Sequence, residues 1–174
     1  MSVWQLSGRS LLAWAAAFAI IEPISYFVIP ATSSSKAVAD YYNIKKTSVP
    51  KVVFGDFMYS TFLYMVTLGI LEVIFPNTVV TWITGFLVFM IVQWIGDLSW
   101  FAIITYLLPD RWVNEYVNFF RRYGGEISLF APLGDSLYGL VLFALAAYLM
   151  SAAPTSSQIA AISLFLFGCL VLSN

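Results

Sequence analysis

Histidine is absent from this chain of 174 residues, and cysteine occurs only once, as Cys169. Without histidine, the usual zinc sites, histidine-ligated haem, and Ser-His-Asp or Cys-His catalysis are all excluded. A lone cysteine cannot form a disulfide within the chain, and its place in an apolar run indicates a packing role. The sequence also lacks a glycine-rich phosphate loop. We therefore expect no catalytic site, no cofactor, no metal site and no enzymatic activity.

Charged residues are scarce as well, at 10% of the chain, whereas 61% of the residues are hydrophobic. Soluble domains are about a quarter charged and about half apolar. The net charge of −1 excludes a basic nucleic-acid-binding surface as the main feature of the chain. The composition predicts an integral membrane protein whose residues 1–174 form a single bundle embedded in a lipid bilayer.

The apolar residues are concentrated in long runs, and a helix needs about 20 of them to cross the hydrocarbon layer. Five runs meet or nearly meet this length, and they cover residues 10–29, 51–75, 79–108, 127–150 and 156–172. Brief links after the second and fourth runs favour antiparallel helix pairs. The predicted fold class is an all-α bundle of five transmembrane helices. A bundle of four is the alternative, because the fifth run is the shortest.

Residues 109–126, one of the two long connections, have an amphipathic pattern. Trp112, Tyr116 and Phe120 recur at helical spacing, while arginines and asparagines supply the polar side. Gly124 and Gly125 are predicted to end this helix. The pattern favours a short amphipathic helix that lies in the membrane interface. A solvated loop that packs on the bundle is an equal alternative.

Basic residues are distributed unequally between the two sides of the predicted bundle. Seven of the eight lie in the two long connections or at their edges, and only Arg9 lies elsewhere. Under the positive-inside rule, both connections are cytoplasmic. With five spans, the N-terminus is then outside and the C-terminus is cytoplasmic. With four spans, the basic side is unchanged, but one terminus moves.

Aromatic residues make up 18% of the chain, and many of them lie near the ends of predicted spans. Tryptophan and tyrosine are enriched at the membrane–water interface because their rings are amphipathic. We expect an interfacial belt formed by Trp4, Trp14, Trp82, Trp112, Tyr41, Tyr42, Tyr106 and Tyr123.

Four acidic residues lie within predicted spans, namely Glu22, Asp56, Asp97 and Asp135. An acid at the centre of a membrane helix costs roughly 2.5–3.5 kcal/mol on insertion scales. At a rise of about 1.5 Å per residue, all four fall between the cytoplasmic interface and a point just beyond the midplane. They come from four different helices, so we predict that they converge on one polar layer. Gln93, one turn before Asp97, is expected to join it.

Three of these acids share the pattern Gly-Asp-x-x-aromatic, in the strings GDFMY, GDLSW and GDSLY. The aromatic residue at i+3 lies on the same helical face as the acid. We predict that Gly55, Gly96 and Gly134 lie at close helix crossings, since glycine lets a neighbouring helix approach. An internal duplication and chance are both open explanations of the repeat. An intramembrane aspartyl protease carries Gly-x-Gly-Asp. The aspartates here stand in the sequences VFGD, WIGD and PLGD, which lack the first glycine.

No lysine or arginine lies deep in any span, so the acids lack an evident countercharge within the chain. The favoured hypothesis is a non-enzymatic structural or assembly subunit of a larger membrane complex, in a cell, an organelle or a virion. Its partners would be other membrane subunits or further copies of the chain, and not nucleic acid. The alternative is a small proton- or cation-conducting channel or transporter that uses the acidic layer. A water-lined cavity around the acids would favour transport, and a dry hydrogen-bonded core would favour assembly.

Overall fold

The computed structural model of the protein describes residues 2–127 and 130–173. Helices account for 82% of the structure, and the described residues form no strand. In chain order the helices are α1 (Gly8–Thr32), α2 (Lys36–Tyr41), α3 (Val49–Ile74), α4 (Trp82–Ala102), α5 (Glu115–Ile127), α6 (Phe130–Ala152) and α7 (Thr155–Val171). The prediction of an all-α fold is confirmed.

Four helices are long and apolar enough to cross a membrane, as expected of an integral membrane protein. They are α1, α3, α6 and the helix that α4 forms with its continuation to Leu107. The apolar helix α7 has only 17 residues. At about 1.5 Å per residue it is about 26 Å long, shorter than a hydrocarbon layer of about 30 Å. The fifth span therefore stays a prediction.

The connection between α3 and α4 is a tight turn built from residues suited to it. Asn77 has a φ of 59°, in the left-handed region that asparagine tolerates better than most residues. Thr81 then begins α4, because its side-chain oxygen accepts a hydrogen bond from the Thr84 N–H at 3.2 Å. The two helices pack against each other, as expected of a pair joined by so short a link.

The centre of the bundle is an aromatic cluster on α1, α3 and α6. Trp14 stacks on Tyr64 with ring centroids 4.7 Å apart, and Phe143 lies 4.9 Å from Trp14. Trp4, from the segment before α1, lies 4.4 Å from Phe143 and fills the space beside Gly85 of α4. These ring contacts hold the N-terminal segment against the bundle and fix α1 between its neighbours.

Three members of the predicted interfacial belt lie in the protein interior instead. Trp4, Trp14 and Tyr41 are 3%, 1% and 4% exposed, whereas Trp112 and Tyr106 are 62% and 77% exposed. The prediction was wrong for the buried three. Closeness to a span end in the sequence does not determine whether a ring points outward or into the bundle.

The C-terminal end of α4 is held by an arginine of α5. Residues Ile103–Leu107 form a π-helical turn, and the carbonyls at such a helix end need donors from elsewhere. Arg121 donates from Nε to the Ile104 carbonyl at 2.7 Å and from Nη2 to the Leu108 carbonyl at 3.2 Å. A cation at a helix C-terminus also interacts favourably with the helix dipole. This contact fixes α5 against the end of α4.

The bounds of α5 differ from the predicted ones at both ends. The helix continues to Ile127, so the prediction that Gly124 and Gly125 end it is wrong. The Phe101 ring occupies the space where a Cβ at Gly124 would stand, so glycine there permits close packing of α5 on α4. At the other end, Trp112 belongs to a 3₁₀ turn before α5 rather than to its helical face.

Candidate functional site

A cavity of about 820 Å³ lies between α1, α3, α4 and α6, with α2 and α5 at one end. Glu22, Asp56, Asp97 and Asp135 all line it, and so does Gln93. The structure thus brings together, around one space, acids from four different helices. A cavity of this size is within the range of about 300–1,000 Å³ that is typical of small-molecule sites.

Three of the four acids accept a hydrogen bond from a tyrosine on another helix. The pairs are Tyr138 with Glu22 Oε2 at 3.0 Å, Tyr59 with Asp97 Oδ1 at 2.8 Å and Tyr41 with Asp56 Oδ1 at 2.7 Å. Each pair joins two helices, so the hydroxyls both satisfy the carboxyls and set the positions of neighbouring helices. Hydrogen bonds of this kind replace the water that an acid would otherwise need inside a membrane.

Tyr41 lies in α2, outside the long apolar helices. Burial, together with the nearby Asp56 carboxylate, raises the pKa of Tyr41 far above its usual value. Its hydroxyl therefore keeps its proton and remains the donor. The Tyr41 ring is held by Phe119 of α5, on which it stacks with centroids 3.9 Å apart and an interplanar angle of 17°.

Asp97 is the most fully hydrogen-bonded of the four acids. Besides the bond from Tyr59 to one carboxyl oxygen, Gln93 donates to the other, Oδ2, at 2.9 Å. Gln93 lies one helical turn away on the same face, as predicted, and its Nε2 also lies 3.2 Å from the Pro132 carbonyl on α6. Asp97 is thereby tied to α3, α4 and α6 at once.

Glu22 and Asp135 keep oxygen atoms that nothing in the described part of the chain satisfies. Glu22 is 1% exposed, and its Oε1 has no hydrogen-bond partner among the described residues. Asp135 accepts no hydrogen bond from them either, and its side chain is exposed. Asp56 bonds to Tyr41 through Oδ1 alone, so its second oxygen is free as well. Because all three residues line the cavity, their free carboxyl oxygens can accept hydrogen bonds from a bound molecule.

The three glycines that precede the aspartates have different surroundings. A Cβ at Gly55 would stand 3.0 Å from Tyr116 Cζ, and a Cβ at Gly96 would stand 3.0 Å from Tyr59 Oη and 2.7 Å from Leu63 Cδ2. Gly96 therefore leaves room for the tyrosine that bonds to Asp97. Gly134 has no such neighbour within 4 Å, so it does not lie at a close crossing.

Sequence reasoning did not identify the three tyrosine donors, all of which line the cavity. Tyr59 and Tyr138 do occupy the aromatic position of a Gly-Asp motif, which was the available clue. Each donates, however, to an acid on a different helix rather than to the acid of its own motif. Nothing in the sequence distinguished Tyr41 from an interfacial tyrosine.

The end of the cavity formed by α2 and α5 is held by a charged residue outside the long helices. Glu126 Oε2 accepts hydrogen bonds from the Ser35 hydroxyl at 2.6 Å and from the Ala37 N–H at 3.2 Å. These two donors hold the pKa of Glu126 below its usual value. Since Ser35 and Ala37 form the N-terminal end of α2, one carboxylate joins that helix to α5.

Glu126→Gln is expected to loosen α2, because a neutral amide accepts weaker hydrogen bonds than a carboxylate. Amide hydrogen exchange of residues 36–41, corrected for intrinsic rates, should be faster in the variant at neutral pH. Glu72→Gln is the control, since Glu72 is an exposed acid of α3 that does not line the cavity. Equal exchange in Glu126→Gln and the unmodified protein would contradict the assigned contact.

The same contact predicts a dependence on pH. A carboxyl whose pKa is lowered on folding stabilises the fold above its unfolded pKa, and this contribution is lost as the pH falls through the folded pKa. The pKa of Glu126 is lowered in this way. The exchange difference between the unmodified protein and Glu126→Gln should therefore disappear in acid.

No family model matches the chain, and neither curated proteins nor solved structures give a match.

Proposed function

We propose that the chain is a cation transporter whose binding site is the acid-lined cavity. The observation that carries the proposal is the convergence of Glu22, Asp56, Asp97 and Asp135 on one space of about 820 Å³. Neither lysine nor arginine occurs among the described residues that line it. A cation that enters therefore meets no like charge among these residues.

Acids in an apolar layer are costly when they are ionised. An ionised carboxylate is expensive there unless a countercharge or several hydrogen bonds compensate for it. Glu22 Oε1 is a buried acceptor without a hydrogen-bond partner among the described residues, and it can be compensated either by a proton or by a cation in the cavity. Protons and cations therefore compete for the same carboxyls, and this competition is the basis of exchange transport.

The hypothesis of a structural subunit of a membrane complex rested in part on acids that lack partners within the chain. Three of the acids accept hydrogen bonds from tyrosines of the same chain. The fourth, Asp135, lines the cavity. Because three of the acids have donors within the chain and all four line one cavity, we favour transport over assembly.

The proposed topology has five spans, with α7 as the fifth and α5 in the membrane interface. Both long connections, which carry seven of the eight basic residues, are cytoplasmic. The N-terminus is then outside and the C-terminus is cytoplasmic. In this arrangement, the cavity end bordered by α2 and α5 faces the cytoplasm, and the aromatic cluster around Phe143 lies towards the other side.

Transport can be measured in proteoliposomes that contain a pH-sensitive dye and have an acidic interior. External Na⁺, K⁺ or an organic cation is added separately, and exchange should raise the internal pH. Glu22→Gln and Asp135→Asn are each expected to slow this rise about tenfold, because each removes a carboxyl free to bind a cation or a proton.

Glu72→Gln is the matched control, because it neutralises an exposed acid of α3 that lies outside the cavity. It should transport at the rate of the unmodified protein. If no added cation raises the internal pH faster than in empty liposomes, the transport proposal is wrong.

A further inference from the structure

Aromatic side chains form the largest group of residues that line the cavity. Trp14 and Tyr42 contribute from the α1–α2 side, Tyr59 from α3, Trp100 from α4, and Tyr116 and Tyr138 from α5 and α6. Aromatic faces attract cations through their electron density, and they also offer apolar area to a ligand. A wall of this composition, interrupted by carboxyls, matches a ligand that is both apolar and positively charged.

The size of the cavity also favours an organic ligand over a bare inorganic ion. At about 820 Å³ it has room for a molecule with several rings, whereas a water molecule occupies about 30 Å³ in the liquid. Selective sites for bare inorganic ions instead enclose the ion with closely spaced oxygen ligands. Among residues 2–127 and 130–173, no group of three or more acidic or cysteine side chains is arranged to hold a metal ion.

The acids are thus spread around the cavity rather than gathered at one point. Glu22 on α1 provides a buried free acceptor, because it is 1% exposed and no described residue bonds to its Oε1. Asp135 on α6 provides a second carboxyl without a described hydrogen-bond partner. A buried acceptor without a donor is unusual in a folded protein, and a ligand that carries a positive group would supply the missing interaction.

We infer that the ligand is a lipophilic organic cation, an amine or onium ion that bears aromatic or other apolar groups. This inference rests on the proposed function, since it names the class of cation that is transported. The positive group lies near Glu22 and Asp135, and the apolar groups lie against the aromatic wall. The carboxyls of Asp56 and Asp97, which already accept tyrosine hydrogen bonds, hold the shape of the cavity.

Tetraphenylphosphonium is the probe for this site, because it carries one positive charge within a shell of aromatic rings. Equilibrium dialysis of the detergent-solubilised protein should show saturable binding with one probe per chain. Trp14 and Trp100 line the cavity, so binding should also change the tryptophan fluorescence. Tetraphenylborate, an anion of the same shape, is the matched control and should not bind saturably.

Two variants test the assigned carboxyls independently. Glu22→Gln and Asp135→Asn should each raise the Kd for tetraphenylphosphonium about tenfold, while Glu72→Gln should leave it unchanged. Asp135→Asn is the safer of the two for folding, because Asp135 makes no hydrogen bond with the described residues. Sodium chloride and potassium chloride should displace the probe only weakly, and equally at the same ionic strength.

The possible results separate this inference from the proposed function. Equal affinity for the cation and the anion, or an unchanged Kd in both variants, would overturn the inference. Exchange of Na⁺ or K⁺ without binding of the probe would also overturn it, while the transport proposal would stand. Charge-selective binding without any exchange would support the ligand class and reject transport.

Discussion

Phe143→Ala is expected to lower the free energy of unfolding by about 3 kcal/mol, at the low end of the range for buried aromatic residues. Phe143 is fully buried and is the ring on which the central cluster converges. Its centroid lies 4.4 Å from Trp4, 4.6 Å from Phe89 and 4.9 Å from Trp14. Alanine would leave a cavity that joins α1, α4 and α6 but cannot close without moving helices.

The low end of the range applies because the unfolded chain in a micelle still has apolar surroundings. The loss is therefore mainly one of packing rather than of transfer from water. Unfolding in a series of increasing sodium dodecyl sulfate fractions would measure it, with Phe27→Ala as the control. Phe27 is 79% exposed on α1, so its removal should change stability little. Equal losses in the two variants would show that the cluster does not stabilise the bundle.

Arg121→Ala has the second large expected effect, a loss of about 2 kcal/mol of stability. The guanidinium donates to the carbonyls of Ile104 and Leu108 and also reaches Asp110 at 3.3 Å. The pair with Asp110 contributes little because Asp110 is almost fully exposed. The loss comes from the two carbonyls at the end of α4, which would be left without their donor.

Arg121→Lys should recover only part of this stability, since an ammonium group does not reproduce the planar fork of a guanidinium. Arg111→Ala is the control, because Arg111 is exposed and lies over the Trp112 ring rather than against a backbone carbonyl. Hydrogen exchange at Glu115–Ile127 would report whether α5 has loosened. If Arg121→Ala and Arg111→Ala behave alike, the anchoring role assigned to Arg121 is wrong.

The long helices could be predicted because their determinants are local. The predicted run at residues 51–75 corresponds to Val49–Ile74, and the run at 79–108 corresponds to Trp82–Leu107. Apolar length decides whether a helix can cross a membrane, and turn residues such as Asn77 mark where it stops. The predicted start of the fourth span, at residue 127, was less accurate. Ile127 belongs to α5, and α6 begins at Phe130.

The hydrogen-bond partners could not be predicted, because they depend on how each helix is rotated against its neighbours. Spacing along one helix identified Gln93 as a neighbour of Asp97. The bond from Tyr59 to Asp97 requires the relative rotation and height of two helices, which no local pattern contains. Tyr41 was missed for a related reason, since α2 folds back so that its tyrosine reaches Asp56 from outside the long helices.

The pairing of Tyr138 with Glu22 has a consequence for biosynthesis. The two residues are 116 positions apart, whereas Tyr59 and Asp97 are separated by only 38 and belong to one helical hairpin. A ribosome that makes the chain from its N-terminus delivers Glu22 to the membrane long before Tyr138 exists. The first helix must therefore wait at the insertion machinery, or enter the lipid with its acid protonated, until the helix of Tyr138 arrives. The order of synthesis thus makes α1 the helix most dependent on a later partner.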